Sequence, residues 1–160
     1  MSNKVVLGLG GNQGDVSETL NKSHNMIREL VGKIDLQSSF YKTKAWGIEN
    51  QPDFINQVIQ VGTDLQPKEI LIKCLEIEKV LGRERKQKWG QRTIDIDILF
   101  YDNIIVETPD LKIPHPYIHQ RNFVLYPLSE ILPKFNHPTL NKTILELKNE
   151  CNDSLKVIKL

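Results

Sequence analysis

The stretch KWGQRTIDIDILFYD, residues 88–102, contains the pattern that decides the fold. The run from Ile94 to Phe100 has the β-branched, apolar composition of a buried strand, but Asp95 and Asp97 interrupt it at alternate positions. Side chains alternate across a strand with period two, so the two carboxylates share one face and the isoleucines occupy the other. The sequence therefore predicts a strand with one apolar face and one face that carries paired acids.

Paired acids on one strand face suggest a metal site. Two carboxylates about 7 Å apart repel each other, and they either shift their pKa values or hold a cation. Mg²⁺ takes one or two carboxylates and leaves its other positions for water and phosphate oxygens. The alternative is a solvated strand face, since edge strands often carry charges. We favour the metal site because an apolar run, Ile98–Phe100, follows the acids directly, and unpaired buried charges are costly.

The composition limits the classes of protein to consider. The chain has 160 residues, which predicts one domain, 1–160, with a real hydrophobic core. With 21 basic and 20 acidic residues its net charge is close to zero, so it has no overall electrostatic field that would attract nucleic acid or an anionic membrane. It has no apolar run of ~20 residues and no signal-peptide pattern, so we expect a cytoplasmic protein. Cys74 and Cys151 are expected to be free thiols.

The predicted elements alternate in type. Asp15 with Glu18 three residues later marks the start of a helix that closes at Gly32, and a second helix begins at Pro67 and stops at Gly82. Together with the strands these give the order strand, helix, strand, strand, helix, strand, at 4–10, 16–31, 34–43, 54–62, 67–81 and 94–100. This order is that of an α+β, ferredoxin-like sandwich with a mainly antiparallel sheet.

The C-terminal part of the chain is less regular. We expect Asp102-Asn103 to turn the chain into a hairpin with IIVET, 104–108. After a Pro-rich stretch we expect a helix at 140–150 and a last strand at 154–160.

The glycine-rich stretch GLGGNQGD, residues 8–15, is not a standard phosphate loop. A dinucleotide fingerprint would need a glycine where the chain has Gln13, and a P-loop would need Gly-Lys-Ser/Thr. The glycines are expected to permit a tight turn and the close approach of a flat group to the backbone.

A basic cluster directly precedes the paired acids. It contains one acid, Glu84, and the cations Arg83, Arg85, Lys86, Lys88 and Arg92. Such a cluster is usually a solvated face. Beside two metal-binding carboxylates it suits phosphoryl chemistry, which needs positive charge around the same oxyanions. Trp89 in this loop would cover a planar ligand.

The third cluster is IPHPYIHQRNFVLYPL, residues 113–128. His115 and His119 have H-x₃-H spacing, but Pro116 lies between them and no third ligand is near, which argues against zinc. His115 and Arg121 are better interpreted as partners of an anion, with Phe123 as a stacking or core aromatic.

These motifs resemble one family. The blocks GLGGNQGD, SSFYKT with QPDFIN, KWGQRTIDIDIL, and PHP with RNFVLYPL, taken in this order, are similar to those of hydroxymethyl-dihydropterin pyrophosphokinases of the folate pathway. The resemblance runs from the first strand to about Leu132. It implies a three-layer α-β-α sandwich and transfer of pyrophosphate from ATP to the hydroxymethyl group of the pterin, releasing AMP.

The resemblance also implies roles for individual residues. Two Mg²⁺ ions would be held by Asp95 and Asp97, which would act in catalysis with Arg83 and Arg92. The pterin pocket would comprise Thr43, Trp46, Phe54, Asn56, Trp89 and Phe123. The co-substrate ATP would be bound by Arg83, Arg85, Lys88, Arg92, Lys112, His115 and Arg121. A monomer that binds these small molecules, with no nucleic-acid or membrane partner, is expected.

Two alternatives remain open on the sequence. Another two-metal enzyme, such as a nucleotidyltransferase or cyclase, would also place carboxylates on a strand but would not need the aromatic set. An RNA-binding module with the same strand order would want exposed aromatics on its central strands, where this chain has acids that repel phosphate.

Overall fold

A computed structural model describes residues 3–44, 52–82 and 93–160 of the chain. Four α-helices, eight strands and one short 3₁₀ helix lie in these ranges. In chain order they are β1 Asn3–Gly11, α1 Val16–Leu30, β2 Gly32–Gln37, β3 Tyr41–Thr43, β4 Phe54–Thr63, α2 Pro67–Val80, β5 Asp95–Tyr101, β6 Val106–Glu107, β7 Lys112–Ile113, the 3₁₀ helix Ile118–Gln120, α3 Asn122–Ile131, α4 Ile144–Glu150 and β8 Ile158–Lys159.

The main sheet is antiparallel and has the strand order β5-β1-β4-β3-β8, with β2 also paired to β4. The strand predicted at 34–43 is therefore two strands, β2 and β3, which pair with successive parts of β4. Counting β2 and β3 as one, the order of the first four strands is that of a ferredoxin-like sheet. The predicted α+β fold class is confirmed.

Helices cover both faces of the sheet, which gives three layers. On one face α1 and α2 bury Leu20 and Ile77 against Leu7 of β1 and Ile96 of β5. On the other face α3 and α4 bury Leu125 and Leu147 against other strand residues, among them Val6, Val58, Leu99 and Phe100. Alternate residues of β1 thus enter opposite cores, as the period of a strand requires.

The ends of the first two helices follow the predicted signals. The Asp15 carboxylate accepts a hydrogen bond from the Glu18 backbone N–H at 3.1 Å, which satisfies one of the free donors of α1. Pro67 is the first residue of α2, and Gly82 follows this helix with a φ of 89°, a conformation that glycine adopts without strain. Cys74 on α2 is 1% exposed, and burial raises the pKa of its thiol to about 12. Packing in the hydrophobic core therefore accounts for this cysteine. Both cysteines are free, as predicted.

The predicted hairpin after β5 is wrong. The turn at Asp102 forms, but β6 pairs with β7 and not with β5. Asp102 is held by β1 instead, because its N–H donates to Lys4 O at 2.8 Å and its carboxylate accepts from Lys4 N at 2.8 Å. The chain therefore leaves the main sheet after the turn.

The C-terminal elements also differ from the prediction. The last helix covers only Ile144–Glu150, where Thr143 caps it, and the last strand is reduced to Ile158–Lys159. Helix α3 was not predicted, since Pro127 lies inside it and proline usually ends a helix. None of the described helices is long and apolar enough to cross a membrane.

Candidate active site

A pocket of about 660 Å³ lies on the face of the main sheet that α3 covers. Four parts of the fold supply its lining: strands β1, β4 and β5, the end of β3 with the residue after it, the 3₁₀ helix with the start of α3, and the C-terminal tail. The lining residues are Gly8, Leu9, Gly10, Thr43, Lys44, Phe54, Asn56, Gln57, Val58, Asp95, Asp97, Leu99, Tyr117, Gln120, Arg121, Phe123, Val124, Asp153 and Leu155.

Asp95 and Asp97 lie on one face of β5, as the alternation predicts. Both side chains are half-buried and line the pocket, whereas Ile96 and Ile98 are buried in the opposite core. Because β5 is an edge strand of the main sheet, its acids lie beside one neighbouring strand, β1.

Glycines of β1 lie opposite both acids. Gly10 pairs with Asp95 and Gly8 pairs with Asp97. On its other side Gly10 pairs with Asn56 of β4, and a Cβ atom on Gly10 would overlap the Asn56 side-chain oxygen. Glycine at this position therefore lets the Asn56 amide lie across β1 towards the acids.

The polar wall opposite β5 is formed by Asn56 and Thr43. The Asn56 amide nitrogen lies 3.5 Å from the Thr43 hydroxyl oxygen, and Thr43 is 4% exposed. An amide offers both a donor and an acceptor, so this wall can recognise a ligand edge that presents both.

Aromatic side chains stand at two edges of the pocket. Phe54 is the first residue of β4, and Phe123 lies in the first turn of α3. The Arg121 guanidinium lies 5.6 Å from the centre of the Phe123 ring and 5.0 Å from that of Tyr117. The pocket thus combines flat apolar surfaces with a fixed cation.

His115 and Lys112 do not line this pocket. They line a smaller cavity of about 230 Å³ next to it, together with His119 and His137. The His115 N–H donates to Leu99 O at 3.0 Å, which joins this segment to β5. Burial lowers the pKa of His115 and Arg121 lowers it further, while Asp95 acts in the opposite direction. His115 therefore interacts electrostatically with both charged pocket residues, Arg121 and Asp95. Its lowered pKa favours the neutral imidazole.

Glu78 of α2 supports the acid-bearing strand, a role that the sequence did not signal. Glu78 is 4% exposed, and its carboxylate accepts from the Ile96 backbone N–H at 2.7 Å. Ile96 lies between the two acids, and an N–H on an edge strand would otherwise lack a strand partner. Glu78 thus fixes the backbone that carries Asp95 and Asp97.

The donor set of the pocket suits Mg²⁺ better than zinc. Within 3–44, 52–82 and 93–160 no three histidine, cysteine or acidic side chains form a metal-binding group. Two half-buried carboxylates on one wall provide the one or two protein ligands that Mg²⁺ usually takes beside phosphate oxygens.

Several predicted site residues lie outside the described residues: Trp46, Arg83, Arg85, Lys88, Trp89 and Arg92. Lys86 of the basic cluster also lies outside them. Of the remainder, Thr43, Phe54, Asn56, Asp95, Asp97, Arg121 and Phe123 meet in one pocket. Two further lining residues, Tyr117 and Gln120, lie within the third cluster but carry no pattern that marks them as site residues. No sequence signal points to Asp153 and Leu155, which belong to the tail.

The fold and pocket define an α+β sandwich with a ligand cleft on one sheet face. Residues 6–133 match the model of a family described as 7,8-dihydro-6-hydroxymethylpterin-pyrophosphokinase (HPPK). This match covers well over half of the chain, and the protein therefore belongs to this family of pyrophosphokinase enzymes.

Relatives from several organisms carry closely related names. The chain is 44% identical over 146 residues to the 2-amino-4-hydroxy-6-hydroxymethyldihydropteridine pyrophosphokinase of Aquifex aeolicus, covering 91% of each. It is 39% identical over 155 residues to the Haemophilus influenzae protein of the same name, covering 96% of each.

A solved structure shares the fold. The wild-type HPPK-DHPS of Plasmodium falciparum matches with a TM-score of 0.75 and 19% identity, over 92% of this chain and 44% of that longer chain. At this identity the match supports the fold alone.

Proposed function

We propose that the protein transfers pyrophosphate from ATP to the hydroxymethyl group of 6-hydroxymethyl-7,8-dihydropterin in folate biosynthesis. The hydroxymethyl oxygen releases its proton to solvent as it bonds to the β-phosphorus, the bond from that phosphorus to the bridging α-phosphate oxygen breaks, and AMP leaves with that oxygen. One observation carries the proposal: paired acids, an amide wall and aromatic rings line a single pocket in a chain of this family.

The pterin would occupy the part of the pocket between Phe54 and Phe123. Flat rings provide apolar surfaces for the bicyclic ligand, and Asn56 offers a donor and an acceptor to its amide-like edge. The Thr43 hydroxyl beside Asn56 restricts the orientation of that amide. Trp46 and Trp89 complete the set proposed for the pterin.

The triphosphate would lie between the acids and the cations. Arg121 lines the pocket and is held over two aromatic rings, so it is a preorganised cation. His115, Lys112 and the loop cations Arg83, Arg85, Lys88 and Arg92 are proposed to bind the remainder of ATP.

Asp95 and Asp97 would hold the magnesium. When bound, Mg²⁺ would neutralise charge on the triphosphate oxygens and help to align the reacting groups. Glu78 and the pairing with β1 hold the backbone of both acids, which limits the reorganisation needed on binding. We propose two ions, in line with the resemblance.

The products of ATP distinguish this function from its alternatives. The protein would be incubated with Mg²⁺, ATP labelled at the γ-phosphorus and the reduced pterin alcohol, and the products separated. We expect unlabelled AMP and labelled pterin diphosphate in equal amounts. Free pyrophosphate would indicate a nucleotidyltransferase or cyclase, and ADP would indicate transfer of a single phosphoryl group.

We further propose that residues 1–160 act as one domain and as a monomer. Both hydrophobic cores are built on the same sheet, so neither layer of helices can fold without it. Sedimentation equilibrium at assay concentrations checks this, and the 18.5 kDa mass of one chain is expected.

A further inference from the structure

The C-terminal tail, residues 151–160, reaches the pocket although it lies beyond the part of the chain that matches the family model. Its residues Asp153 and Leu155 line the pocket beside Phe123 and Val124 of α3. The tail has almost no secondary structure, and its only strand, β8, has two residues. Its path over the fold therefore depends on specific contacts at its two ends.

At the first end, Asp153 holds the start of α3. Its carboxylate accepts from the Asn122 backbone N–H at 3.0 Å and from the Leu155 N–H at 2.9 Å, and its backbone carbonyl accepts from the Asn122 amide at 3.1 Å. The N-cap residue of α3, Arg121, makes no side-chain capping bond. Asp153 thus supplies from another segment the acceptor, and the negative charge, that the start of a helix favours.

At the second end, the tail is joined to β3. Lys159 pairs with Tyr41, and the Leu160 N–H donates to Phe40 O at 2.9 Å. Lys159 Nζ also lies 3.7 Å from the carboxylate of Glu130 on α3, which accepts from the Tyr41 hydroxyl at 2.8 Å. Strand β3 ends at Thr43, which lines the pocket, so the tail contacts both the α3 wall and the β3 wall of the pocket.

We propose that the tail sets the spacing between these two pocket walls, with Asp153 as a positioning residue that acts through Asn122 on Arg121 and Phe123. This inference rests on the proposed function of the same pocket. Without the Asp153 carboxylate, the first turn of α3 frays for part of the time, and in frayed states the Phe123 ring and the Arg121 guanidinium are misplaced. Ligand binding then has to select the ordered fraction, so the apparent Kd rises as that fraction falls.

The test compares two matched pairs of variants. Asp153→Ala and Asp153→Asn change the positioning residue, and Glu150→Ala and Glu150→Gln change an exposed acid three residues earlier, whose bond to Lys142 lies away from the pocket. Asp153→Asn keeps the shape of the side chain and one of its oxygen acceptors. It therefore tests the role of Asp153 if Asp153→Ala does not fold. Calorimetry measures the Kd of the reduced pterin alcohol in the presence of Mg²⁺ and a non-reactive ATP analogue.

We expect Asp153→Ala to raise this Kd about fivefold and Asp153→Asn about twofold, which corresponds to ordered fractions of about one fifth and one half of the wild-type value. Hydrogen exchange of the amides at 122–125 should accelerate in both variants and slow again when the ligands bind. The Glu150 variants should leave Kd and exchange at 122–125 unchanged.

Two failures are distinguishable. If the wild-type protein does not bind the pterin, the proposed function is wrong and this inference falls with it. If the wild type binds and the Asp153 variants keep the wild-type Kd, even with a lower melting temperature, Asp153 is merely structural and only the inference is overturned.

Discussion

At the scale of single residues, the pocket depends on a glycine, which has no side chain, as well as on the side chains that line it. Gly10 lies between Asp95 of β5 and Asn56 of β4, and it gives the Asn56 amide room to cross β1. The glycine-rich stretch was expected to allow close approach to the backbone. The group that approaches Gly10 in the structure is a side chain of the protein itself.

Gly10→Ala should therefore weaken pterin binding. The added methyl group would displace the Asn56 amide from its place beside Thr43, and we expect the Kd of the pterin to rise at least tenfold, about 1.4 kcal/mol. Calorimetric titration measures it. Gly62→Ala is the control, since this glycine lies at the other end of β4 and an added Cβ there would meet the side-chain ends of Asp35 and Lys4. An unchanged Kd in Gly10→Ala would show that Asn56 does not contact the pterin.

At the scale of elements, Glu130 joins α3 to β3 and to the residues that precede this strand. Its carboxylate accepts from the Ser39 N–H at 3.0 Å, the Ser39 hydroxyl at 2.9 Å and the Tyr41 hydroxyl at 2.8 Å. Burial acts to raise the pKa of Glu130, but these hydrogen bonds and Lys159 outweigh it, and the pKa lies below the usual value of 4.5. Charged Glu130 therefore stabilises the fold.

The stabilisation by Glu130 should depend on pH. Because its folded-state pKa is depressed, the contribution is fully present above the unfolded pKa and is lost as pH falls through the folded value, below about 4.5. We expect Glu130→Gln to lower the free energy of unfolding by about 1–2 kcal/mol at pH 7 and by much less at pH 3.

Urea unfolding of both proteins across this pH range measures the difference. Glu76→Gln is the control, because it removes only an exposed ion pair with Lys73 at 3.8 Å and should change little. A Glu130→Gln effect that is equally large at pH 3 would mean that the shape of the side chain, and not its charge, holds α3.

The sequence predicted those elements whose signals are local. Asp15 and Gly82 mark helix ends by their own chemistry, and the alternation of Asp95 and Asp97 with isoleucines places both acids on one face without reference to the remaining fold. These predictions were confirmed.

The failures concern contacts between distant parts of the chain. The pairing of β6 was wrong because the backbone of Lys4, 98 residues away, holds the Asp102 turn. The contribution of Asp153 to the pocket was missed because its partner, Asn122, is 31 residues away. No local pattern encodes either contact. Seven of the residues named from the family resemblance line one pocket, although they come from distant parts of the chain.

At the scale of the whole molecule, ligand binding should stabilise the fold by mass action. Mg²⁺ with a non-reactive ATP analogue at 100 times its Kd should add about 2.7 kcal/mol, which corresponds to a rise in Tm of roughly 5–10 °C for a chain of this size. Thermal melts with and without chelator measure it. An equal rise in chelator would show that the nucleotide binds without a divalent cation and would count against the proposed role of the paired acids.

The rate of AMP formation by Asp97→Asn tests the central claim most directly. The substitution keeps the shape of a residue that lines the pocket and removes the charge proposed to hold Mg²⁺. We predict a loss of at least about 10³-fold at saturating ATP and pterin, the scale of several kcal/mol of transition-state stabilisation, which added Mg²⁺ does not restore. Asp110→Asn, in the exposed turn between β6 and β7, should keep the wild-type rate. A wild-type rate in Asp97→Asn would contradict the proposal that the acid pair of β5 serves the transfer of pyrophosphate.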